Sequence, residues 1–235
     1  MRKPTHAALL VGSPRGPNST SNSLGTYLVE KLEQKGVPYE RVYICQGLSS
    51  EAKKAALLRI VDESDLIIFA FPLYVDSLHS QVIETLELIA EHTKGKHDLD
   101  EKSVVAISNS GFPETKQNTT ALTVCRLFAK QVGFNWAGGL AIGGGEMISA
   151  QPLSELGGRV RGKTKAMEIA ADALAQGDPI PEDAVASMSK LGVPRWLYLW
   201  IANRRWKSKA KKNIAIKKMY DQPFKEGLNQ KEVND

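Results

Sequence analysis

The sequence predicts an α/β protein, a three-layer sandwich built on a five-stranded parallel sheet of order 2-1-3-4-5, with a helical C-terminal extension. Five short apolar runs alternate with five helical patterns over residues 5–176, and this alternation is typical of a parallel sheet wound on both faces. Residues 65–71 are apolar almost throughout, as expected of a strand buried on both faces. A loop rich in glycine, proline and hydroxyl side chains follows the first run, where this strand order places a ligand.

Each predicted strand is a short apolar run, and each predicted helix has apolar residues three or four positions apart. The predicted strands β1 to β5 cover residues 5–11, 37–44, 65–71, 103–108 and 136–142. The predicted helices cover about residues 23–35, 51–61, 80–93, 119–132 and 159–175. In the helix predicted over residues 80–93, the expected inward positions are Val82, Ile83, Leu86 and Ile89. In the helix predicted over residues 119–132, they are Leu122, Cys125, Leu127 and Phe128.

The chain of 235 residues is predicted to divide into a domain over residues 1–177 and a basic, aromatic extension over 178–235. Ten Lys or Arg residues and no Asp or Glu occur from Lys190 to Lys218. Removing these ten charges turns the net charge of +5 into −5, so the basic character belongs to the extension.

Three interpretations of the basic, aromatic segment 193–218 are open. It can pack as an added helix on the core or at a dimer interface, lie on an anionic membrane surface, or bind nucleic acid. Packing is favoured because aromatic side chains at helical spacing are usually buried against protein. Peripheral membrane contact comes second, and nucleic acid is not expected because the core is acidic.

Composition excludes several classes of site. Cys45 and Cys125 lie far apart and outside any CxxC motif, so no zinc or iron–sulfur site is predicted and both are expected to be buried free thiols. Neither a signal peptide nor an apolar run of about 18 residues is visible. We therefore expect a cytoplasmic protein.

The loop after β1 has the composition of a phosphate site. It contains Gly12-Ser13-Pro14-Arg15 and Asn18-Ser19-Thr20-Ser21 and opens a helix, whose first backbone N–H groups and positive dipole end favour an anion. The alternative is that these hydroxyl groups form an N-cap cluster. The absence of both GxGxxG and GxxxxGK[ST] leaves dinucleotide and nucleoside-triphosphate sites unsupported.

Two further unusual loops follow β3 and β4, at the same edge of the predicted sheet. They are Pro72-Leu73-Tyr74-Val75-Asp76-Ser77-Leu78 and Asn109-Ser110-Gly111-Phe112. Together with the β1 loop, they resemble the flavodoxin-like NAD(P)H-dependent FMN reductase and quinone reductase superfamily over about residues 5–176. The iron–sulfur branch of that superfamily is excluded because residues 72–98 contain no cysteine.

The resemblance implies a bound FMN, with NAD(P)H as a transient electron donor. The implied phosphate loop comprises Ser13, Arg15, Asn18, Ser19, Thr20 and Ser21. The implied contacts of the flavin ring are Pro72, Leu73, Tyr74, Val75 and Asp76 from one loop and Asn109, Ser110, Gly111 and Phe112 from the other. Asp76 is more readily explained as a turn or N-cap residue than as an acid, and no catalytic side chain is expected because the flavin itself carries the hydride chemistry.

The predicted function is an FMN-dependent NAD(P)H oxidoreductase that passes two electrons to a quinone, a flavin or another small acceptor. A homodimer is expected because flavin sites of the superfamily are often completed by a second subunit. The alternative is a flavodoxin-like FMN electron carrier that acts with protein partners. A flavin-free adaptor with the same fold is the third hypothesis.

Overall fold

Five strands and eight α-helices make up the part of the chain that the computed structural model describes, residues 1–97 and 99–213 with Lys218, Tyr220 and Asp221. The strands are β1 (Ala7–Val11), β2 (Tyr39–Tyr43), β3 (Leu66–Pro72), β4 (Ser103–Asn109) and β5 (Asn135–Ile142). The helices are α1 (Thr20–Glu33), α2 (Ile44–Gly47), α3 (Glu51–Glu63), α4 (Ser80–Thr93), α5 (Thr119–Val132), α6 (Arg161–Gln176), α7 (Glu182–Ser189) and α8 (Arg195–Lys212).

The sheet is parallel throughout and has the predicted order β2-β1-β3-β4-β5. Its register aligns the carboxyl ends of the central strands: Val11 pairs with Ala70, and Pro72 pairs with Asn109. Because the strands end side by side, the loops that follow β1, β3 and β4 leave the sheet at one edge.

Helices cover both faces of the sheet and bury its central strands. Leu9 and Ile68 belong to the core layer shared with α1 and α6, whereas Leu10 and Phe69 belong to the layer shared with α3, α4 and α5. All four side chains are fully buried, and burial of each contributes about 2 kcal/mol. The continuous apolar runs of β1, β3 and β4 follow from this double burial.

Helix bounds agree with the sequence for α4 and α5, but two predicted inward positions are wrong. Ile83 is 40% exposed and Leu127 is 56% exposed. Leu127 lies two residues beyond the buried Cys125, which places it about 200° around the helix and on the solvent side.

The two thiols also differ. Cys125 is buried, and burial raises its pKa to about 12. Cys45 is only half-buried in α2, so the expectation that both are buried is wrong for Cys45.

The chain separates into two compact units, Met1–Gly192 and Val193–Asp235. In the first unit the Ile180 N–H donates to the Ala137 carbonyl at 2.8 Å, and Lys163 Nζ donates to the carbonyls of Met188 and Lys190. Burial lowers the pKa of Lys163 to about 8. These contacts group residues 178–192 with the first unit, while the domain boundary at 177 remains a prediction.

The second unit contains α8, and residues 214–217 of the predicted basic segment lie outside the described residues. Within the described chain, we find no helix with the length and apolarity needed to cross a bilayer.

Candidate functional site

The loops after β1, β3 and β4 are joined by hydrogen bonds at the carboxyl edge of the sheet. The Leu73 N–H donates to the Asn109 carbonyl at 2.8 Å, which continues the β3–β4 ladder into both loops. The Gly12 N–H donates to the Ala70 carbonyl at 2.8 Å and ties the start of the β1 loop to β3. The three sequence motifs therefore form one cluster, which we call the loop cluster.

Asn109 is the junction of the loop cluster. Its Nδ2 donates to Ser21 Oγ at 2.8 Å and to the Phe71 carbonyl at 3.0 Å, and the residue is buried. One amide therefore links β4 to both β3 and the first turn of α1. The sequence predicts Asn109 as a cofactor contact, and the structure shows that its side chain also holds the loops together.

The β1 loop is a tight turn that ends in the N-cap of α1. The Gly16 N–H donates to the Ser13 carbonyl at 2.9 Å, with Gly16 at φ +53°, and the Asn18 N–H donates to the Arg15 carbonyl at 3.1 Å. Ser13 is buried, while the Arg15 and Asn18 side chains are exposed. Among the described residues, Arg15 makes no ion pair.

Ser19 is the N-cap residue, which moves the start of α1 to Thr20, three positions earlier than predicted. Its Oγ accepts from the Asn22 N–H at 3.1 Å and donates to the Gly16 carbonyl at 2.7 Å. The capping arrangement that the sequence left open as an alternative is therefore present at Ser19. The Thr20 hydroxyl donates to the Gly145 carbonyl at 3.1 Å, so the protons of both hydroxyl groups are already used inside the protein.

Two backbone donors remain at the start of α1. Within the part of the chain that the structure describes, the N–H groups of Thr20 and Ser21 make no hydrogen bond. Both belong to the first turn, where no intrahelical acceptor exists. They give the positive end of a 14-residue helix two donors for an anion.

The β3 loop contains a turn with unusual backbone angles. Tyr74 and Ser77 exchange two N–H to carbonyl hydrogen bonds of 3.0 Å, and the central residues Val75 and Asp76 have φ of +46° and +59°. Pro72 ends β3 and Leu73 is half-buried, whereas Tyr74 is 44% exposed and Val75 is 99% exposed. Asp76 is thus a turn residue, as predicted.

Of the two roles expected for Asp76, turn or N-cap residue, the structure shows the turn, because His79 is the N-cap of α4. Its Nδ1 accepts from the Gln81 N–H at 3.3 Å. The His79 ring also lies 5.3 Å from the Tyr74 ring, centroid to centroid. His79 therefore supports the exposed aromatic side chain of the β3 loop.

The β4 loop is held by a residue that sequence reasoning missed. Asn118 is fully buried; its Oδ1 accepts from Ser108 Oγ at 2.7 Å, and its Nδ2 lies 3.3 Å from Ser110 Oγ. Asn118 begins a sequon-like triplet, and no other signal marks it. Beyond it, a side chain at Gly111 would meet open space, and Phe112 is 54% exposed.

The glycines after β5 pack against the β4 loop. A Cβ at Gly143 would lie 2.4 Å from the Pro113 carbonyl oxygen, and Gly144 has φ +68°. From the sequence, Gly143-Gly144-Gly145 could allow a ligand or a partner subunit to approach closely, or could form a flexible connection after β5. The close neighbour is the β4 loop, and the Gly145 carbonyl also receives the Thr20 hydroxyl.

The loop cluster offers a charged end and a flat end. Free N–H donors, the buried Ser13 hydroxyl and exposed Arg15 lie on the α1 side, and the exposed rings of Tyr74 and Phe112 lie in the other two loops. A cavity of about 550 Å³ between the last turns of α4 and α5 lies at the opposite end of the sheet and shares no residue with the cluster. Donor chemistry, not cavity size, therefore identifies the site.

Comparison with known proteins adds to this geometry. No family model matches the sequence, and no curated protein matches it significantly. An NADH:FMN oxidoreductase in its apo form is structurally similar with a TM-score of 0.54 and 17% identity, over 81% of this chain and 97% of that one.

Two further solved structures give the same result. An FMN-dependent NADH-azoreductase from Bacillus anthracis, in complex with FMN, matches with a TM-score of 0.51 and 11% identity over 73% of this chain and 99% of its own. The Trp repressor binding protein from Bacillus subtilis matches with a TM-score of 0.50 and 13% identity over 64% and 94%. At these identities the likeness establishes a flavodoxin-like fold, and the resemblance seen in the sequence is confirmed at that level.

Proposed function

We propose that the protein is an FMN-dependent NAD(P)H oxidoreductase that transfers two electrons to a quinone, a flavin or another small acceptor. The observation that carries the proposal is the pair of free N–H groups at the start of α1. They lie beside the loops after β3 and β4, at the carboxyl ends of the neighbouring strands β1 and β3. In open parallel sheets, ligands bind outside the carboxyl ends of the strands at such a switch point. The named activities of two structural neighbours, NADH:FMN oxidoreductase and FMN-dependent NADH-azoreductase, support the same proposal.

The charged end of the cluster fits a phosphate group. The Thr20 and Ser21 N–H groups and the Ser13 hydroxyl would donate to it, and Arg15 would add a positive charge. Ser19 and Thr20 contribute through the hydrogen bonds that order the turn, since their own protons are already donated. Asn18 would line the outer side of the loop.

The other two loops fit a flat, amphipathic ring system. Pro72, Leu73 and Tyr74 would lie along it, with Val75 and Asp76 forming the turn at its rim. A second group, Asn109, Ser110, Gly111 and Phe112, would face its polar edge, and there is room for the ring there because a Cβ added at Gly111 would meet open space. When bound, FMN supplies the hydride-accepting and hydride-donating chemistry; the protein residues bind it and exclude water.

The proposal extends to the surroundings of the site. A homodimer would bring a second subunit to the exposed Tyr74 and Phe112 side chains, and static light scattering of the purified chain measures this. The acceptor would approach the same exposed rim. A cytoplasmic location is part of the same proposal.

The first experiment asks whether the protein holds and uses a flavin. We expect the purified chain, or the chain titrated with FMN, to absorb near ~450 nm and to bleach when NADH or NADPH is added without oxygen. A chain that takes up no FMN would refute the proposal. A bound flavin that neither nicotinamide bleaches would identify the alternative, an FMN carrier that acts with protein partners.

The second experiment tests the place of the phosphate. Ser19→Asp keeps a good N-cap, because aspartate caps helices as well as serine does, but it puts a negative charge at the anion site. We expect FMN affinity to fall by at least tenfold. The unfolding temperature should also fall, because an aspartate cannot donate to the Gly16 carbonyl as the buried Ser19 hydroxyl does, and circular dichroism verifies that the variant still folds.

The control is Ser50→Asp, because Ser50 is the exposed N-cap of α3 and also accepts a backbone N–H, from Lys53 at 3.4 Å. It should leave FMN affinity within twofold of the parent. Equal FMN affinity in Ser19→Asp and the parent would show that the phosphate does not bind at α1.

A further inference from the structure

The three tryptophans of α8 are exposed to solvent, whereas its tyrosine, Tyr198, is buried. Trp196, Trp200 and Trp206 are 70%, 56% and 61% exposed, and Leu199 is 39% exposed. The sequence favoured burial of these side chains against protein, but the described chain leaves them open. Three of its four tryptophans therefore lie on one exposed helix.

The three tryptophans and Leu199 share one side of the helix. At about 100° per residue, Trp196, Leu199, Trp200 and Trp206 fall within about 120° of one another around the axis. We call this side the aromatic face. A sector of that width is what an amphipathic helix presents to an apolar medium.

The charges of α8 lie mostly outside the aromatic face. The helix carries seven Lys or Arg residues and no Asp or Glu. Of the cations after residue 203, only Lys207 falls within the aromatic face; the others are Arg204, Arg205, Lys209, Lys211 and Lys212. Arg204 lies 5.5 Å from the Trp200 ring centroid and Lys209 lies 5.7 Å from that of Trp206, so cations border the exposed rings.

From these observations we propose that α8 binds the surface of an anionic lipid bilayer. The indole rings enter the headgroup region, where tryptophan is favoured, and the Lys and Arg side chains contact anionic headgroups above them. The absence of any acidic side chain on α8 removes repulsion from those headgroups. A helix whose exposed aromatic face is bordered by cations lies in the interface plane rather than across the bilayer.

Vesicle flotation of the full chain tests the proposal. We expect association with vesicles of equal phosphatidylcholine and phosphatidylglycerol, and association at least tenfold weaker with phosphatidylcholine alone, in about 0.1 M salt. Raising the salt to about 1 M should weaken the association. Equal binding to both vesicles, or to neither, would refute an anionic bilayer as the partner.

Variants separate the two parts of the surface. Lys209→Ala/Lys211→Ala/Lys212→Ala and, separately, Trp196→Ala/Trp200→Ala should each lower vesicle association roughly tenfold or more. The matched control removes three exposed lysines of the first unit, in Lys53→Ala/Lys130→Ala/Lys165→Ala, and should change association less than twofold. If the control variant associates with vesicles as weakly as the α8 variants do, the assignment to this helix is refuted. Thermal unfolding verifies that all variants fold.

Tryptophan fluorescence provides a second readout. Binding should shift the emission to shorter wavelength, and phosphatidylglycerol vesicles that contain brominated lipid should quench it. Vesicle association without quenching would contradict insertion of the aromatic face.

Two other partners have distinct signatures. Tighter binding to a 20-nucleotide duplex than to the anionic vesicles, lost in the lysine variant, would overturn the proposal in favour of nucleic acid. A dimer that Trp196→Ala/Trp200→Ala converts to a monomer, with no vesicle binding by the parent, would assign the aromatic face to a second copy. None of these readouts depends on a bound flavin.

Discussion

Tyr27 links α1 to α6 through one hydrogen bond. Its hydroxyl donates to Glu168 Oε1 at 2.8 Å, and the tyrosine is buried while the carboxylate is half exposed. Burial first, and then the hydrogen bond and charge of Glu168, raise the pKa of Tyr27 to about 12. The native state therefore favours the neutral phenol at a pH where the unfolded chain ionises it.

The pH dependence of stability follows from this shift. The contribution of Tyr27 is fully present below about pH 10 and is lost as the pH rises toward 12, because the unfolded chain releases its proton first. We expect Tyr27→Phe to lower the free energy of unfolding by about 1 kcal/mol at pH 8, and the difference to shrink by pH 11. Urea denaturation at both values measures it.

Tyr220→Phe is the control, since that side chain is 80% exposed. It should show the same pH dependence as the parent chain. If Tyr27→Phe also loses stability between pH 8 and pH 11 as the parent does, the shift does not arise from Tyr27.

Single residues also show where sequence reasoning stops. Ser19, Asn109 and Ser110 were identified from their positions in the chain, and the structure places all three in the loop cluster. Their partners are distant in sequence: Asn109 contacts Ser21 across 88 positions, and Thr20 contacts Gly145 across 125. No local pattern specifies such contacts.

At the scale of elements, the turn at Tyr74–Ser77 stores backbone strain. Positive φ at both central residues is the geometry of a type I′ turn, which favours Asn-Gly. Val75 and Asp76 stand there instead. A β-branched residue at positive φ costs about 1 kcal/mol or more.

Relief of this strain is measurable. Val75→Asn should raise the free energy of unfolding by about 1 kcal/mol, because asparagine tolerates the left-handed region and Val75 is 99% exposed and has no packing to lose. Val75→Thr keeps the β-branch and serves as the control, with no gain expected. Equal stability of the two variants in thermal unfolding would show that the turn is unstrained.

Most elements were predictable because their signals are local. The bounds of α4 and α5 agree with the sequence, since apolar spacing and the glycine at 133 define them. The start of α1 was missed by three residues, because a serine followed by other polar residues leaves the choice of N-cap open. Only the bond from Asn22 to Ser19 fixes it.

At the scale of the whole molecule, the structure makes the position of the boundary between the two parts of the chain testable. Residues 178–192 contribute Ile180, Ala184 and Met188 to the core of the first unit. Burial of three such side chains is worth several kcal/mol. The second unit begins at Val193.

Two truncations compare the boundaries. A fragment of residues 1–192 should unfold at the temperature of the full chain and bind FMN equally well. A fragment of residues 1–177 should lose at least ~3 kcal/mol, because Ile180 and Met188 no longer fill their places and Lys163 loses both carbonyl partners. Equal stability of the two fragments, measured by urea denaturation, would place the boundary at 177.

The sequence by itself determined the fold class, the strand order and the three loops at one edge of the sheet. The fold class and the loops follow from hydrophobic periodicity and from glycine, proline and hydroxyl residues, whose effects act within a few positions of the chain. The strand order follows from the alternation of strands and helices together with the ligand loop after the first strand. The tertiary structure alone decided which groups are free. It commits the Ser19 and Thr20 hydroxyl protons to carbonyls and exposes the tryptophans of α8. Among the residues that the structure describes, it also leaves two N–H donors on α1 without acceptors. Availability of a donor or an apolar face depends on what packs against it, and that is set by residues far away in the chain.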